Sequence, residues 1–311
     1  GDAARGGGGG PDPTPTDPST PAQGEVELPL PKSAMTRALP KDAIPAITEP
    51  AFGPDWSGVD GVDLEAGDEV IGVVRNGEAR AYPLRILDWH EVVNDDFGGP
   101  LLVTFCPLCG SGVTAERRVD GQETAFGVSG YLWRADLVMY DALTDSLWSQ
   151  ILGKAVRGSQ TGKSLTLVPS QRTRLGDWRE SYPETEVLLP PPASKTVTGD
   201  YARYHQRGYQ GYDESDRIGI GENDFDDDRL HPKTQVIGVA IGDAAVAYPL
   251  VRVDAAGVIN DSVGGEPVVV AAMPGGFLAA YHRTVDGSVL TFSRQDERHL
   301  TADGSTWAIQ T

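Results

Sequence analysis

The sequence predicts an α+β protein that is predominantly β and consists of two homologous β-rich domains. Residues 70–126 align without gaps with residues 236–292, and 22 of the 57 paired positions are identical. Both copies contain short apolar runs separated by Gly, Asn and Asp turn residues, as β-strands do, and only one short helical pattern. An ungapped internal match of this length indicates an internal duplication.

In the first copy, strands are predicted over residues 69–74 and 78–82, joined by a hairpin turn at Asn76-Gly77. Pro83 then begins a short helix over residues 84–93, which Asn94-Asp95 ends. The next strands are expected over residues 101–105, 112–119, 124–128, 137–141 and 146–151. A helical turn is expected over residues 177–182.

The composition divides the chain into three parts. Residues 1–40 begin with a Gly-, Pro- and Thr-rich stretch and are predicted to form a disordered tether, which would suit an N-terminal surface anchor. Residues 41–190 form the first repeat domain, and residues 191–311 contain a linker and the second, degenerate repeat domain. An ordinary disordered N-terminus is the alternative interpretation of the first part.

The formal charge of −19 excludes several classes of partner. A field this negative repels nucleic-acid phosphates and anionic lipid, and no apolar run is long enough for a transmembrane helix. The chain has 29 Asp and 16 Glu against only 6 Lys, as expected for a halophilic protein whose surface must stay hydrated in concentrated salt. An acidic protein from a GC-rich genome is the alternative.

Three residues of the first copy have been lost from the second. Cys106, Cys109 and His90 correspond to Ala or Gly residues there, whereas the shared positions are mainly apolar and turn residues. Residues that maintain a fold should recur in both copies, and residues that serve chemistry need survive in only one. These three side chains are therefore the candidate functional residues.

Two cysteines separated by two residues can direct both sulfurs at one metal ion. Cys106, Cys109 and His90 would supply soft or borderline donors, which suit copper or zinc better than magnesium or calcium. Copper is favoured for an extracytoplasmic protein, and Met139 is a candidate fourth, weak ligand. Two alternatives remain: a thiol–disulfide redox protein with Cys106 as attacking thiol, and a noncatalytic surface binding module with a structural disulfide.

The same segments resemble a known family. The sequences YPLRILDWHEVVND, TFCPLCGSGV, RRVDG, FGVSG, LVMYD and SLWSQILGKAVRG, which lie within residues 44–189, resemble the bacterial and archaeal domain of unknown function 3179. The resemblance implies an exported protein attached to the cell surface, and it assigns no activity. His90, Cys106 and Cys109 lie within these segments, and the second copy resembles a degenerate version of the front half. No particular protein partner is indicated for that copy.

Overall fold

The computed structural model describes residues 27–59, 62–199, 204–209, 211–220 and 229–309. Within these residues the chain forms 27 β-strands, three short α-helices and one 3-10 turn at Lys32–Ala34. The prediction of a predominantly β protein is confirmed. No helix in the part of the chain described is long and apolar enough to cross a membrane.

The first half contains seventeen of these strands and two of the helices. The strands are β1 (Thr36–Arg37), β2 (Ile47–Glu49), β3 (Phe52–Gly53), β4 (Glu69–Arg75), β5 (Glu78–Pro83), β6 (Val92–Asp96), β7 (Pro100–Cys106), β8 (Ser111–Glu116), β9 (Arg118–Val119), β10 (Gln122–Glu123), β11 (Phe126–Trp133), β12 (Asp136–Asp141), β13 (Leu147–Ser149), β14 (Lys154–Arg157), β15 (Gln171–Arg174), β16 (Glu186–Leu188) and β17 (Lys195–Thr196). The helices are α1 (Leu84–His90) and α2 (Leu175–Ser181).

These strands build three five-stranded sheets and one small ribbon. The sheet orders are β1-β11-β12-β13-β14, β15-β4-β5-β16-β3 and β17-β2-β6-β7-β8, and β9 pairs with β10. Strand β7 is buried at every position, as expected for a continuous apolar run that lies between two packed layers. It contributes to two hydrophobic clusters and carries Cys106 at its end.

Helix α1 ends earlier than the sequence predicts. Pro83 occupies the N-cap, and the apolar face is completely buried. Glu91 then adopts a left-handed conformation with φ of 57°, which stops the helix. Since the following residues include β-branched Val92 and Val93, they continue as strand β6 instead of completing the helix predicted over residues 84–93.

The second half contains the remaining elements. They are β18 (Val236–Ile241), β19 (Ala244–Pro249), α3 (Leu250–Ala256), β20 (Val258–Val263), β21 (Glu266–Met273), β22 (Phe277–His282), β23 (Thr284–Val285), β24 (Ser288–Val289), β25 (Ser293–Arg294), β26 (His299–Ala302) and β27 (Ser305–Ala308). The described strands form sheets β18-β19, β20-β21-β22, β23-β24 and β25-β26-β27. From β18 to β24 the element order repeats that of β4 to β10.

An asparagine shared by the two halves makes the same contacts in both. The amide nitrogen of Asn94 donates to the carbonyl of Phe126 at 2.9 Å, and the backbone N–H of Phe126 donates to the Asn94 side-chain oxygen at 2.6 Å. Asn260 and Phe292 repeat this pair at 2.8 Å in each direction. In the first half only, the amide also donates to the carbonyl of Ile47, at 3.1 Å.

A buried tyrosine is fixed in the same way in each half. The hydroxyl of Tyr82 donates to Asp95 at 2.6 Å, and that of Tyr248 donates to Asp261 at 2.8 Å. These identical residues therefore hold the first hairpin of each half against the following strand.

The described end of the predicted tether packs on the fold. Residues 1–26 lie outside the described residues. Leu30 and Met35 are buried in one cluster with Val138 and Val156, and β1 pairs with β11. Because these apolar side chains find partners in the sheet, residues 27–40 do not behave as the predicted disordered segment.

Replacing the shared asparagine should destabilise the protein more in the first half than in the second. We expect Asn94→Ala to lower the free energy of unfolding by about 2–3 kcal/mol, because it leaves buried backbone groups without partners. Asn260→Ala should cost only about 1 kcal/mol, since Asn260 is half-buried and makes one fewer contact. Urea unfolding of both variants measures the difference, and equal losses would contradict it.

Candidate metal centre

The two cysteines lie at the end of the buried strand β7. Cys106 is the last residue of the strand and is only 1% exposed, whereas Cys109, three residues later in the turn, is exposed. Gly110 follows with φ of 63°, a conformation that glycine adopts easily, and the chain returns as β8. The two Sγ atoms are 2.9 Å apart, and no disulfide bond joins them.

A tight hairpin turn faces the sulfurs. Strands β11 and β12 are joined by Arg134 and Ala135, which have φ of 51° and 65°. Two successive left-handed residues are typical of a type I′ turn, where Asn and Gly are usual. The carbonyl oxygen of Ala135 lies 3.3 Å from Cys109 Sγ and 3.7 Å from Cys106 Sγ. The strained turn thus holds one oxygen atom close to both sulfurs.

Asp136 completes the group. Its Oδ1 lies 3.8 Å from Cys109 Sγ, and ligand atoms of Cys106, Cys109 and Asp136 all lie within 4.8 Å of one another. The hydroxyl of Ser149 donates to Oδ2 at 2.6 Å, and the backbone N–H of Ile151 also donates to the carboxylate. Burial raises the pKa of Asp136 to about 6, and the hydrogen bond from Ser149 opposes this rise.

The buried thiol of Cys106 is held in its neutral form. Burial raises its pKa well above the ordinary value, and the adjacent Cys109 sulfur raises it further. A neutral thiol can donate to the carbonyl oxygen of Ala135, which the short sulfur–oxygen distances allow. A metal ion would have to displace this proton in order to bind the thiolate.

His90 does not join the two sulfurs, contrary to the sequence prediction. One ring nitrogen, Nδ1, lies 2.6 Å from the carbonyl oxygen of Pro45, and Nε2 lies 2.7 Å from the hydroxyl of Tyr204. The ring also stacks on Tyr204, and burial lowers the pKa of His90 to about 4. Asp136 takes the place expected for the imidazole, because both nitrogens of the ring point to other partners.

Met139 lies in the hydrophobic cluster that also contains Cys106. It is 1% exposed on β12 and packs among apolar side chains such as Val128 and Trp148. The role of a weak fourth ligand stays a prediction for this residue.

The residues around His90 contact one covering segment instead. We call residues 204–209 and 211–220 the strap. The contacts between the end of α1 and the strap are those of Asp88 with Arg207, Trp89 with the carbonyl of Gln206, His90 with Tyr204, and Glu91 with Tyr209. The hydroxyl of Tyr212 also donates to the carbonyl of Leu108, at 3.1 Å, between the two cysteines. The strap therefore covers the helix end beside the cysteine turn.

Glu91 is a functional candidate that the sequence analysis missed. Its side chain is buried although the backbone is left-handed, and the aligned residue in the second half is Gly257, also at positive φ. A glycine is the usual residue at this helix end. Burial raises the pKa of Glu91 to about 8, and the nearby Asp88 adds to the rise. The internal alignment could have revealed this replacement, since it pairs Glu91 with a glycine.

The second half has no counterpart of the cysteine group. Ala272 and Gly275 stand at the positions of Cys106 and Cys109. Among all described residues, the group of Cys106, Cys109 and Asp136 is the only set of three His, Cys, Asp or Glu residues that converges in this way.

The chain matches the model of a protein family over most of its length. The family described as "Protein of unknown function (DUF3179)" matches residues 41–310. The match includes the second half and is thus wider than the segment 44–189 that the motifs indicated. No curated protein and no solved structure matches the chain.

Because of Glu91, the free energy of unfolding should fall as the pH rises from about 6.5 to 8. In the folded state it keeps its proton to a pKa of about 8, whereas in the unfolded state it ionises near 4.5, so rising pH favours unfolding across this window. Asp88 and Asp136, with pKa of about 6, have largely titrated below this window. Unfolding returns the pKa of His90 from about 4 to its ordinary 6.5, which opposes the fall at the lower end of the window and no longer does so above about pH 7. Glu91→Gln should abolish the fall, as measured by urea midpoints at several pH values.

The matched control is Glu78→Gln, which changes an exposed carboxylate on β5. This variant should retain the fall in stability of the unaltered protein. The same pH slope in Glu91→Gln and in the unaltered protein would show that Glu91 does not carry the effect.

Proposed function

This chain belongs to the DUF3179 family, and we propose that it binds one transition-metal ion through Cys106, Cys109 and Asp136. The observation that carries the proposal is the convergence of two sulfurs and one oriented carboxylate within 4.8 Å of one another. Ser149 and the amide of Ile151 already hold that carboxylate in place. Such outer hydrogen bonds orient metal ligands in known sites.

The donor set favours zinc over the copper that the sequence alone favoured. Zn²⁺ accepts thiolate and carboxylate ligands together, whereas Cu⁺ prefers soft sulfur and nitrogen donors. The third donor is the harder carboxylate of Asp136 and not the imidazole of His90. Two thiolates bound to one ion at about 2.3 Å lie roughly 3.7 Å apart. The sulfurs, now 2.9 Å apart, would separate slightly, which the exposed Cys109 side chain can accommodate.

The short distance between the sulfurs favours a second candidate, a thiol–disulfide protein. Sulfurs 2.9 Å apart need only a small rotation to reach a disulfide bond of about 2.05 Å. The two thiols would lose two protons and pass two electrons to a disulfide of a partner. Cys109 would be the attacking sulfur, in place of the Cys106 suggested by the motif, because Cys109 is exposed and the buried Cys106 thiol has a raised pKa.

We infer that the second half is a degenerate copy of the first, an inference supported by the 22 shared positions and by the repeated Asn–Phe and Tyr–Asp contacts. A location on the outside of a halophilic cell is consistent with the formal charge of −19 and with the Gly-, Pro- and Thr-rich start of the sequence. The metal site does not depend on either inference.

Metal titration of the reduced full chain tests the proposed function. We expect one equivalent of Zn²⁺ to bind. Native mass spectrometry measures the binding, and Cu⁺ is titrated in parallel for comparison. Cys109→Ser should abolish binding, and Asp136→Asn should weaken it at least about tenfold, because each removes a ligand. Cys109 is exposed, so its replacement should not impair folding.

Two control variants make the result specific. His90→Gln should leave the metal affinity unchanged, because His90 contacts Pro45 and Tyr204 and not the sulfurs. Asp216→Asn, a change in a highly exposed carboxylate, should also have no effect. A chain that takes up neither ion when reduced, but forms a labile Cys106–Cys109 disulfide, would replace the metal site with the redox function.

A further inference from the structure

The outer face of the hairpin β18–β19 is exposed, whereas the equivalent face of β4–β5 is covered. Val236 is 44% exposed, and its counterpart Val70 is completely buried. Ala247 is likewise exposed, and its counterpart Ala81 is buried. Two similar hairpins thus have a covered face in one half and an exposed face in the other.

In the first half, the chain itself supplies the cover. Strand β15 pairs antiparallel with β4 over four residues, and β16 lies beside β5. Helix α2 follows β15 and places the indole of Trp178 directly on Gly72. A Cβ atom at Gly72 would lie 2.5 Å from that ring, so only glycine leaves room for it.

The second half retains the glycine but not the indole. Gly238 aligns with Gly72, and no described residue lies within 4 Å of a Cβ atom built at Gly238. A glycine in the middle of a strand weakens it unless another group approaches closely. The retained glycine therefore leaves an open place of the kind that Trp178 fills in the first half.

The edge of β18 is also unpaired within the described chain. Its only strand partner there is β19, whereas β4 has both β5 and β15 as neighbours. The residues Val236–Ile241 carry no charge and no proline, the usual means of protecting an exposed edge. An apolar edge of this kind readily pairs with another strand.

We propose that the β18–β19 hairpin binds a segment of a partner protein, an extended strand followed by a short helix that places an aromatic ring on Gly238. The strand adds to the edge of β18 as β15 adds to β4, and the helix packs on the exposed face beside Val236 and Ala247 as α2 packs on Gly72. The formal charge of −19 on this chain favours a neutral or basic segment. The inference is independent of the metal site, which lies in the other half.

The probe is a labelled peptide with the sequence of residues 171–183, QRTRLGDWRESYP, which contains the natural cover of the first half. We expect saturable binding to the full chain and slower hydrogen exchange of the amides of β18. Binding should weaken at least about tenfold with Gly238→Leu, which fills the open place, and with a Trp178→Ala peptide. Val289→Leu, a change at an exposed strand residue elsewhere in the second half, should leave binding unchanged.

Three results would overturn the proposal. The first is the absence of saturable binding up to about 1 mM peptide, a level of affinity too low for recognition. The second is equal binding by the Gly238→Leu variant, once circular dichroism has confirmed that it is folded. The third is a dimer whose β18 amides are already protected before peptide is added. The last result would show that a second copy of the chain covers this face.

Discussion

The geometry of the cysteine site depends on one strained turn. Arg134 and Ala135 are both left-handed, which costs free energy for residues with a Cβ atom. In return, the turn aims the carbonyl of Ala135 at both sulfurs and starts β12 with the carboxylate of Asp136 beside Cys109. The pairing of β11 with β12 on either side of the bulge after Val128 holds the turn in this position. Without this constraint the two cysteines would face no third donor.

Much of the fold could be predicted from sequence, because local patterns determine it. The Asn76-Gly77 turn, the apolar run of β7 and the helix beginning at Pro83 all have local signatures that the structure confirms. The third member of the site has none. Asp136 follows Cys109 by 27 residues and meets it only because two hairpins pack together, so no spacing rule indicates the pair.

The residues of the first half that the second half does not share are of two kinds. The cysteines and His90 are all absent from the second half, and this joint absence suggested one ligand set; beside His90, Trp89 and Glu91 are absent as well. In the structure, these last three residues contact the strap, which crosses the helix end beside the cysteine turn. Residues that are jointly absent from the second half therefore need not bind the same ion.

Within the described residues, the second half also lacks the segments that cover the first, and this difference underlies the two roles proposed for the halves. In the first half, β15, α2 and the strap bury the hairpin β4–β5 and the end of α1, so that polar groups such as Glu91 lie in a water-poor environment where their pKa values change. In the second half the hairpin β18–β19 has no such cover within the described chain. Its exposed apolar surface suits association, because the free energy available from burying Val236 and the edge of β18 has not been used in folding. The shared Asn–Phe and Tyr–Asp contacts maintain the same frame in both halves, and the halves differ in the segments that cover this frame.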